Sequence, residues 1–310
     1  MKLFTTFLLS AFLATQALAQ GNSEAAKINN GTGTEEFTFT VEATFRGKKI
    51  PKNEIRLNKM ARGKDANPGK KLGLEKKKNS QSDNDAGSVK RPRRATPNPA
   101  ASSGNWCGSV RRGMSTNQIK LIHAYFQHPT CTKRAGQTYP QAVAQWAGID
   151  GDSWGGALLQ SGTVCKFDNS SATVRNEAWW QWLPSGAYTI SSLPVAPGDW
   201  FEVTINTTSN RAGKVTLANI SKGYAYTITI SNGAALGRVD ADWVIERPTY
   251  GSSLAGLPKF SDVWFQKAYA TRVKGGPASN LGILGSTQLQ IPGLCASAEY
   301  DNENAVSWSL

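Results

Sequence analysis

The amino-acid sequence predicts an all-β protein, a sandwich or a barrel built from antiparallel strands. Two patterns support this prediction: short runs in which apolar and polar residues alternate, and turn residues that recur between those runs. No segment shows a sustained helical period with capping residues. Many short strands separated by turns are typical of sandwiches and barrels.

The clearest alternating runs follow one another in the second half of the chain. They lie at 201–205, 215–217, 224–230, 263–265 and 305–310. Apolar residues on every second position place one face of each run in a core. Turn residues such as PGD at 197–199 and SNG at 231–233 separate them, so each run is predicted to be one strand.

The N-terminus has the pattern of a signal peptide. Lys2 precedes a short apolar stretch, and residues 17–19 have the small-x-small form that signal peptidase requires. Residues 1–19 are therefore predicted to be removed, and the protein is predicted to be secreted to the extracellular space. The apolar stretch is too short to span a bilayer, and no later run reaches about 20 apolar residues, so no membrane association is expected.

A basic leader precedes a nearly balanced body. Residues 1–94 hold 19 Lys and Arg and 9 Asp and Glu, whereas residues 95–310 hold 16 and 13. Residues 62–94 are too polar to fold alone, and they end in Lys-Arg-Pro-Arg-Arg, a dibasic processing pattern. We predict a propeptide over residues 20–94, called the leader, and a mature domain over 95–310, called the body. Because the basic excess lies in a removable segment, no nucleic-acid partner is expected.

One part of the leader is predicted to be ordered. From Phe37 to Phe45, Phe, Val and Ala alternate with Thr and Glu, which predicts a half-buried strand. Our hypothesis is that this strand docks on the body while the basic tail covers the active cleft. The alternative is a strand that only assists folding.

The body has the features of a secreted domain. Its four cysteines, Cys107, Cys131, Cys165 and Cys295, predict disulfides, and the sequence leaves the three pairings open. Three glycosylation sequons, which begin at Asn169, Asn206 and Asn219, predict surface turns in a glycoprotein.

Few catalytic chemistries are open to this chain. Its only histidines are His123 and His128, and it lacks the His-Glu-x-x-His and Cys-x-x-Cys patterns of zinc sites. We expect no metal and no organic cofactor, and we interpret both histidines as strand or turn residues. Carboxylate and carboxamide chemistry remains, or binding without catalysis.

Two predicted strands carry side chains suited to such chemistry. Gln160 is a long polar side chain inside an apolar run. In the strand at 240–248, Trp243 and Ile245 share one face, and Glu246 lies on the other. Each has an ordinary alternative, because a Glu at a strand end is usually exposed and a Gln often lies at a sheet edge.

An ordered set of short motifs resembles the eqolisin, or glutamic peptidase, family. In chain order the motifs are NWCG at 105–108, QWAGIDGD at 145–152, LLQSG at 158–162, WWQWLP at 179–184, PGD at 197–199, ADWVIE at 241–246 and FSDVWF at 260–265. Any one of these motifs is weak, but the ordered set covers most of residues 104–310 and is specific.

The resemblance implies a fold and a site. The fold is an antiparallel β-sandwich of two curved, lectin-like sheets with a substrate groove on the concave face. Glu246 and Gln160 would be the catalytic pair, and Trp106, Trp146 and Asp150 would line the site. The resemblance also implies an endopeptidase acting on protein or peptide substrates, with its own propeptide as an intramolecular inhibitor until acid releases it. We expect a monomer.

The implied mechanism is acid–base catalysis on water. The Glu246 carboxylate would activate water, and the Gln160 amide would stabilise the oxyanion. Because an ordinary Glu titrates near pH 4.3, we expect an acidic optimum. We also expect insensitivity to pepstatin, a transition-state mimic aimed at paired aspartates.

Three positions depart from the family pattern, and other functions stay open. Val164, Gln181 and Leu183 stand where the family often has Asp, a carboxylate and Tyr. The main alternatives are a secreted carbohydrate-binding sandwich, whose tryptophans stack on sugars, and an inactive peptidase relative. A glycoside hydrolase using Asp150 or Asp152 with Glu246 is a further option.

Overall fold

The computed structural model describes residues 24–29, 34–60, 101–112, 119–273, 280–300 and 304–309. The predicted signal peptide, the basic stretch 62–94 and the predicted cleavage after Arg94 lie outside these residues. In the part of the chain described, no helix has the length and apolar character needed to cross a membrane.

Regular structure in the described residues is almost entirely β-strand, with one 3-10 turn at Lys52–Glu54. The leader strands are β1 Glu24–Asn29, β2 Thr34–Phe45, β3 Lys48–Lys49 and β4 Leu57–Lys59. The body strands are β5 Ala101–Ser102, β6 Trp106–Arg112, β7 Ile119–Gln127, β8 Cys131–Thr132, β9 Gln141–Ile149, β10 Leu158–Phe167, β11 Arg175–Leu183, β12 Tyr188–Ile190, β13 Trp200–Thr207, β14 Gly213–Asn219, β15 Tyr224–Ser231, β16 Asp240–Glu246, β17 Thr249–Tyr250, β18 Ser253–Leu254, β19 Lys259–Phe260, β20 Val263–Arg272, β21 Asn280–Gly282, β22 Thr287–Gln290, β23 Cys295–Tyr300 and β24 Asn304–Ser309. The five runs predicted as strands correspond to β13, β14, β15, β20 and β24, so the all-β prediction is confirmed.

Most of the strands form two large sheets, and β17 with β18 and β19 with β8 form two small ones. The eleven-stranded sheet has the order β1-β2-β15-β14-β13-β7-β20-β24-β23, with β21 beside β20 and β3 beside β2. The nine-stranded sheet has the order β4-β12-β11-β10-β9-β16-β6-β22-β5. Its pairs are antiparallel apart from β22 and β5. This is the predicted β-sandwich.

One apolar core fills the space between the two sheets. The eleven-stranded sheet contributes Phe126 and Phe201, and the nine-stranded sheet contributes Trp180 and Trp243, all fully buried. The indole N–H of Trp243 donates to the carbonyl of His123 in the opposite sheet at 3.1 Å. This core forms because alternate residues of each strand point inward.

The nine-stranded sheet carries a second, smaller apolar cluster on its outer face. It comprises Ala142, Ala144, Trp146, Leu158, Val164, Trp179, Leu183, Val244 and Ala255. Apart from Ala255, which follows β18, these residues occupy the alternate positions of β9, β10, β11 and β16 that do not point into the central core. Polar side chains on this outer face therefore stand among apolar neighbours.

The predicted leader strand is part of the sandwich. Phe37 to Phe45 lie in β2, which pairs antiparallel with β15 from Phe45 opposite Tyr224 to Thr38 opposite Ser231. The prediction that this strand docks on the body is confirmed. The part of the hypothesis that concerns the basic tail lies outside the described residues.

The disulfides join Cys107 to Cys295 and Cys131 to Cys165. The first connects β6 of one sheet to β23 of the other. One of the three open pairings is thereby selected.

The surface-turn interpretation of the sequons is wrong at Asn219. Its side chain is fully buried, and its Nδ2 donates to the Pro194 carbonyl at 2.9 Å and to the Asp199 carboxylate at 2.8 Å. A glycan on that nitrogen would displace both partners. Asn169 is exposed, as a glycosylation site requires.

Candidate active site

The predicted catalytic residues, Gln160 and Glu246, share the outer face of the nine-stranded sheet. Gln160 lies on β10 and Glu246 at the end of β16, with β9 between them. On β9, Gly148 pairs with Gln160 and Ala144 pairs with Glu246. Because paired residues share a face and side chains alternate along a strand, both side chains point the same way as Trp146.

Trp146 occupies the space between these two residues. It is fully buried, and its Nε1–H donates to Oε2 of Glu246 at 2.9 Å. The opposite ring edge lies over Gly148, where an added Cβ would come within 2.8 Å of Cζ3 of Trp146 and 3.2 Å of Cβ of Gln160. The indole thus extends from the carboxylate to the strand position beside Gln160, and Gly148 leaves it room.

Glu246 is partly exposed and is held by N–H donors. Besides the Trp146 indole, Nδ2 of Asn105 donates to Oε1 at 3.4 Å. Burial raises the pKa of Glu246 to about 7, while hydrogen bonds from Trp106, Trp146 and Asn105 act to lower it. A carboxyl with such a pKa can take a proton and return it near neutral pH.

A relay of hydrogen bonds sets the orientation of the Gln160 amide. Gln181, which faces Gln160 on β11, donates Nε2–H to the Ser185 carbonyl at 2.9 Å. Nε2 of Gln160 in turn donates to Oε1 of Gln181 at 3.0 Å. Because a backbone carbonyl only accepts, the relay fixes which end of each amide is nitrogen. The Gln160 nitrogen carries a second hydrogen that this relay does not use.

Trp106 lies on the same face, as its predicted role requires. It pairs with Glu246 between β6 and β16. Its ring packs edge-on against Trp146, with centroids 5.1 Å apart. The two indoles form one wall beside the carboxylate, and contact of either with a substrate stays a prediction.

Asp150 supports the backbone behind the site. It is fully buried, and its carboxylate accepts the N–H groups of Arg238 and Val239 at 2.8 and 2.7 Å. Burial raises its pKa to about 6, and these backbone bonds oppose the rise. Asp150 therefore ties the end of β9 to the start of β16, the strand that carries Glu246. Its role in lining the site stays a prediction.

The carboxylates considered for glycoside hydrolysis are engaged elsewhere. Asp150 holds backbone N–H groups, and Asp152 forms an ion pair with Arg112. Neither observation favours a second catalytic carboxyl beside Glu246.

Sequence reasoning missed the state of Asp242. It lies on the face of Glu246, is fully buried, and has no hydrogen-bond partner for either carboxyl oxygen among the described residues. Burial raises the pKa of Asp242 well above its ordinary value, and the charge of Asp240 adds to the rise. Asp242 was not among the predicted site residues, because no local pattern in the sequence shows that a carboxyl lacks a partner.

The histidines lie away from this face. His128 is buried, with its ring nitrogens 2.8 Å from Oγ1 of Thr163 and 2.9 Å from Oδ1 of Asn176. His123, on β7, contacts the carboxylate of Glu202 at 3.1 Å. His123 is a strand residue, as interpreted, and His128 lies in the irregular segment directly after β7. The described ranges contain no group of His, Cys, Asp and Glu that could hold a metal.

Comparison with known proteins identifies relatives of the body. Residues 104–309 match the Peptidase A4 family. Aspergillopepsin-2 of Aspergillus niger is 33% identical over 141 residues, which cover 45% of this chain and 49% of that protein. Scytalidopepsin B of Scytalidium lignicola is 26% identical over 156 residues, which cover 50% of this chain and 55% of that protein. The chain spans about half the length of the curated relatives it matches.

Solved structures share the fold. Scytalido-glutamic peptidase with a transition-state analogue inhibitor superposes with a TM-score of 0.58 at 21% identity, covering 69% of this chain and 100% of that one. SCP-B, an eqolisin in complex with a tripeptide, gives a TM-score of 0.52 at 20% identity, and the match again covers 69% of this chain and 100% of that one. At these identities the likeness shows the β-sandwich alone.

Proposed function

The chain belongs to the Peptidase A4 family, and we propose that it is a glutamic-type endopeptidase acting on protein or peptide substrates. One observation carries the proposal: Glu246 and Gln160 share a sheet face, and each is oriented by neighbouring side chains for one chemical role. The tripeptide bound to SCP-B and the peptide-based analogue bound to scytalido-glutamic peptidase support peptides as substrates.

The proposed mechanism assigns one task to each residue. The Glu246 carboxylate takes a proton from water, whose oxygen bonds to the scissile carbonyl carbon. The carbonyl oxygen becomes an oxyanion and accepts the N–H of Gln160 that the relay leaves over. Glu246 then gives its proton to the amide nitrogen, the C–N bond breaks, and a free amine and a carboxylic acid leave.

The relay supports the role of Gln160. If Gln160 turned by 180°, two amide oxygens would face each other at Gln181, so the nitrogen is held in one place. A donor fixed before the reaction does not need to reorganise as charge develops. Gln181 is therefore a positioning residue in this proposal.

The pKa of Glu246 bears on the pH range of activity. A general base loses activity as pH falls through its pKa, and burial raises that pKa to about 7. The acidic optimum expected from the resemblance and the direction of this shift therefore oppose each other. We propose activity that extends closer to neutral pH than an ordinary Glu would give.

The remaining features of the proposal concern the whole protein. We propose that it is secreted after removal of residues 1–19 and made as a zymogen that is cut after Arg94. The basic stretch 62–94 would inhibit the body, where the partly exposed Glu246 offers an acidic partner. Pepstatin would not inhibit the enzyme, because the proposed pair is Glu and Gln rather than two aspartates.

The test is digestion of a denatured protein with pepstatin present, followed from pH 3 to pH 7 after acid treatment of the secreted protein. We expect cleavage by the wild type and losses of about 10²–10³-fold or more in kcat for Glu246→Gln and Gln160→Ala. Cleavage that survives Glu246→Gln, or no cleavage by folded wild type at any pH, would overturn the proposal; glycan binding would then be measured.

Glu177→Gln is the matched control. Glu177 lies on β11, in the same cross-strand row as Glu246, through Val164 and Ala144. It lies beside Arg175 and has no part in the proposed mechanism. The variant removes a carboxylate from the same sheet face, and we expect it to keep its activity within about two-fold.

A further inference from the structure

The phenylalanines of the leader complete an aromatic cluster in the core of the body. Phe39 lies edge-on to Trp180 at 4.9 Å and to Tyr188 at 5.0 Å, and Trp180 stacks on Tyr188 at 4.9 Å. Phe37 and Phe39 are only 0% and 3% exposed. Without them, the rings of Trp180 and Tyr188 would meet water, so the described core includes the leader.

The leader is also held by continuous backbone pairing. Eight residues of β2, from Thr38 to Phe45, pair with β15. At the end of this ladder the N–H of Arg46 donates to the Gly223 carbonyl at 2.7 Å. Removal of β2 would leave β15 as an open edge strand with unpaired backbone groups.

A second stretch of the leader binds the other sheet. β4 pairs with β12 through Leu57, Asn58 and Lys59. The N–H of Met60 donates to the Ala187 carbonyl at 2.8 Å, and the N–H of Ser191 donates to the Arg56 carbonyl at 3.0 Å. The leader thus adds strands to one edge of each sheet and holds those two edges of the sandwich together.

We propose that residues 34–60 stay bound to the body as a non-covalent clamp when the chain is cut between residues 60 and 101. On this proposal the leader has two parts with different fates. The basic stretch 62–94 can leave, whereas the clamp remains, because its apolar side chains belong to the same core as the body.

The clamp reaches the turn that orients Gln160. Met60 bonds to Ala187, two residues after Ser185, whose carbonyl accepts from Gln181. Trp180, which packs on Phe39, is the residue before Gln181 on β11. Loss of the clamp would loosen both supports of the relay, so a cut protein that keeps the clamp is expected to keep the orientation of Gln160.

The experiment makes one defined cut in the full chain. A recognition site for a sequence-specific protease is placed within residues 79–89, and the cut protein is passed through a size-exclusion column under native conditions. We expect the leader fragment and the body to elute together and to separate only in denaturant. A fragment that elutes alone, while the body keeps its near-UV circular dichroism, would overturn the proposal.

A matched pair of variants on β2 sharpens the test. Phe39 is buried, whereas Phe45 on the same strand is 37% exposed and packs on Tyr224 at 4.6 Å. The measurement is the rate at which an isotopically labelled peptide of residues 34–60 replaces the bound fragment. We expect Phe39→Ala to speed exchange by about tenfold or more and Phe45→Ala by about threefold or less. If Phe39→Ala fails to fold, Phe39→Leu is compared with Phe45→Leu, and equal rates would again overturn the proposal.

Discussion

Strand β16 presents two opposite environments on its two faces. Trp243 and Ile245 point into the core between the sheets, where both are fully buried among apolar side chains. Asp242 and Glu246 point to the outer face, where both carboxyls have a raised pKa because burial disfavours their charge. Residues one position apart on the same strand therefore act on stability in opposite directions.

The inner-face residues of β16 stabilise the fold, whereas its outer-face residues form the candidate site. Apolar burial on the inner face stabilises the sandwich. On the outer face, Asp242 is buried without a hydrogen bond among the described residues. Oε1 of Gln160 is also buried and also lacks a hydrogen bond there. Polar groups buried in this way destabilise a fold, and such exceptions concentrate at functional sites.

The largest expected effect is on the inner face. Trp243→Ala leaves a cavity in the core and removes the donor to the His123 carbonyl. We expect the free energy of unfolding to fall by about 3–5 kcal/mol, measured by urea denaturation. Trp264, on β20, is 37% exposed, and Trp264→Ala is expected to cost less than about 1.5 kcal/mol. Equal losses would contradict the division between buried and exposed positions.

On the outer face, by contrast, we expect a substitution that stabilises the protein. Asp242→Asn removes a carboxyl whose pKa burial raises well above the value near 3.9 that an Asp has in the unfolded chain. The folded state binds the extra proton, so wild-type stability falls as pH rises above about 4. We expect the variant to be more stable by about 1–3 kcal/mol at pH 7 and equal to wild type near pH 3. Urea denaturation at both pH values measures the difference.

Asp240→Asn is the control for that variant. Asp240 lies on the same face and strand and is equally buried, but its carboxylate accepts the N–H groups of Ser153 and Trp154 at 2.6 and 3.2 Å. Its replacement weakens these bonds, because a neutral amide oxygen is a poorer acceptor than a carboxylate, and it removes one of the two oxygens, the second of which accepts the Ser153 hydroxyl. We therefore expect destabilisation by about 1–3 kcal/mol. Stabilisation by both variants would show that the stability change on this face depends on the charge of the carboxyl alone and not on whether it has a hydrogen-bond partner.

The inner face was predictable from the sequence, and most of the outer face was not. The alternation around Trp243 gave the strand and placed Glu246 on the opposite face, because side-chain direction follows from local geometry. The partners of Glu246 and Gln160 lie on other strands, 100 and 21 residues away in sequence. Such contacts depend on sheet register, and the same holds for the burial of Asn219.

Substitution of Gln181 tests whether this side chain orients the amide of Gln160. Gln181→Leu removes the acceptor for Gln160 and the donor to Ser185. We expect kcat to fall by about 10–100-fold with KM changed by less than about threefold, because a donor to the transition state is lost rather than substrate binding. Steady-state kinetics on a defined peptide measures both constants. A rise in KM alone would assign Gln181 to binding.

Gln181→Glu gives the same position a titratable group. A protonated Glu can accept from Gln160 and donate to the Ser185 carbonyl, whereas an ionised Glu lacks the donor. We expect activity near that of wild type in acid and a loss as pH rises through the pKa of the new carboxyl. The amide of wild type does not titrate, so a pH profile identical to wild type would argue against the relay.

The smallest expected effect comes from the donor that holds Glu246. Trp146→Phe removes the Nε1–H that bonds to Oε2, a contact that lowers the pKa of Glu246. The pKa should rise, and the ascending limb of kcat/KM against pH should move upward by about 0.5–1 pH unit. Trp179→Phe is the matched control, since Trp179 lies on the same face and its indole nitrogen has no partner among the described residues. A downward shift, or equal shifts in both variants, would mean that the indole does not act on the base through its hydrogen bond.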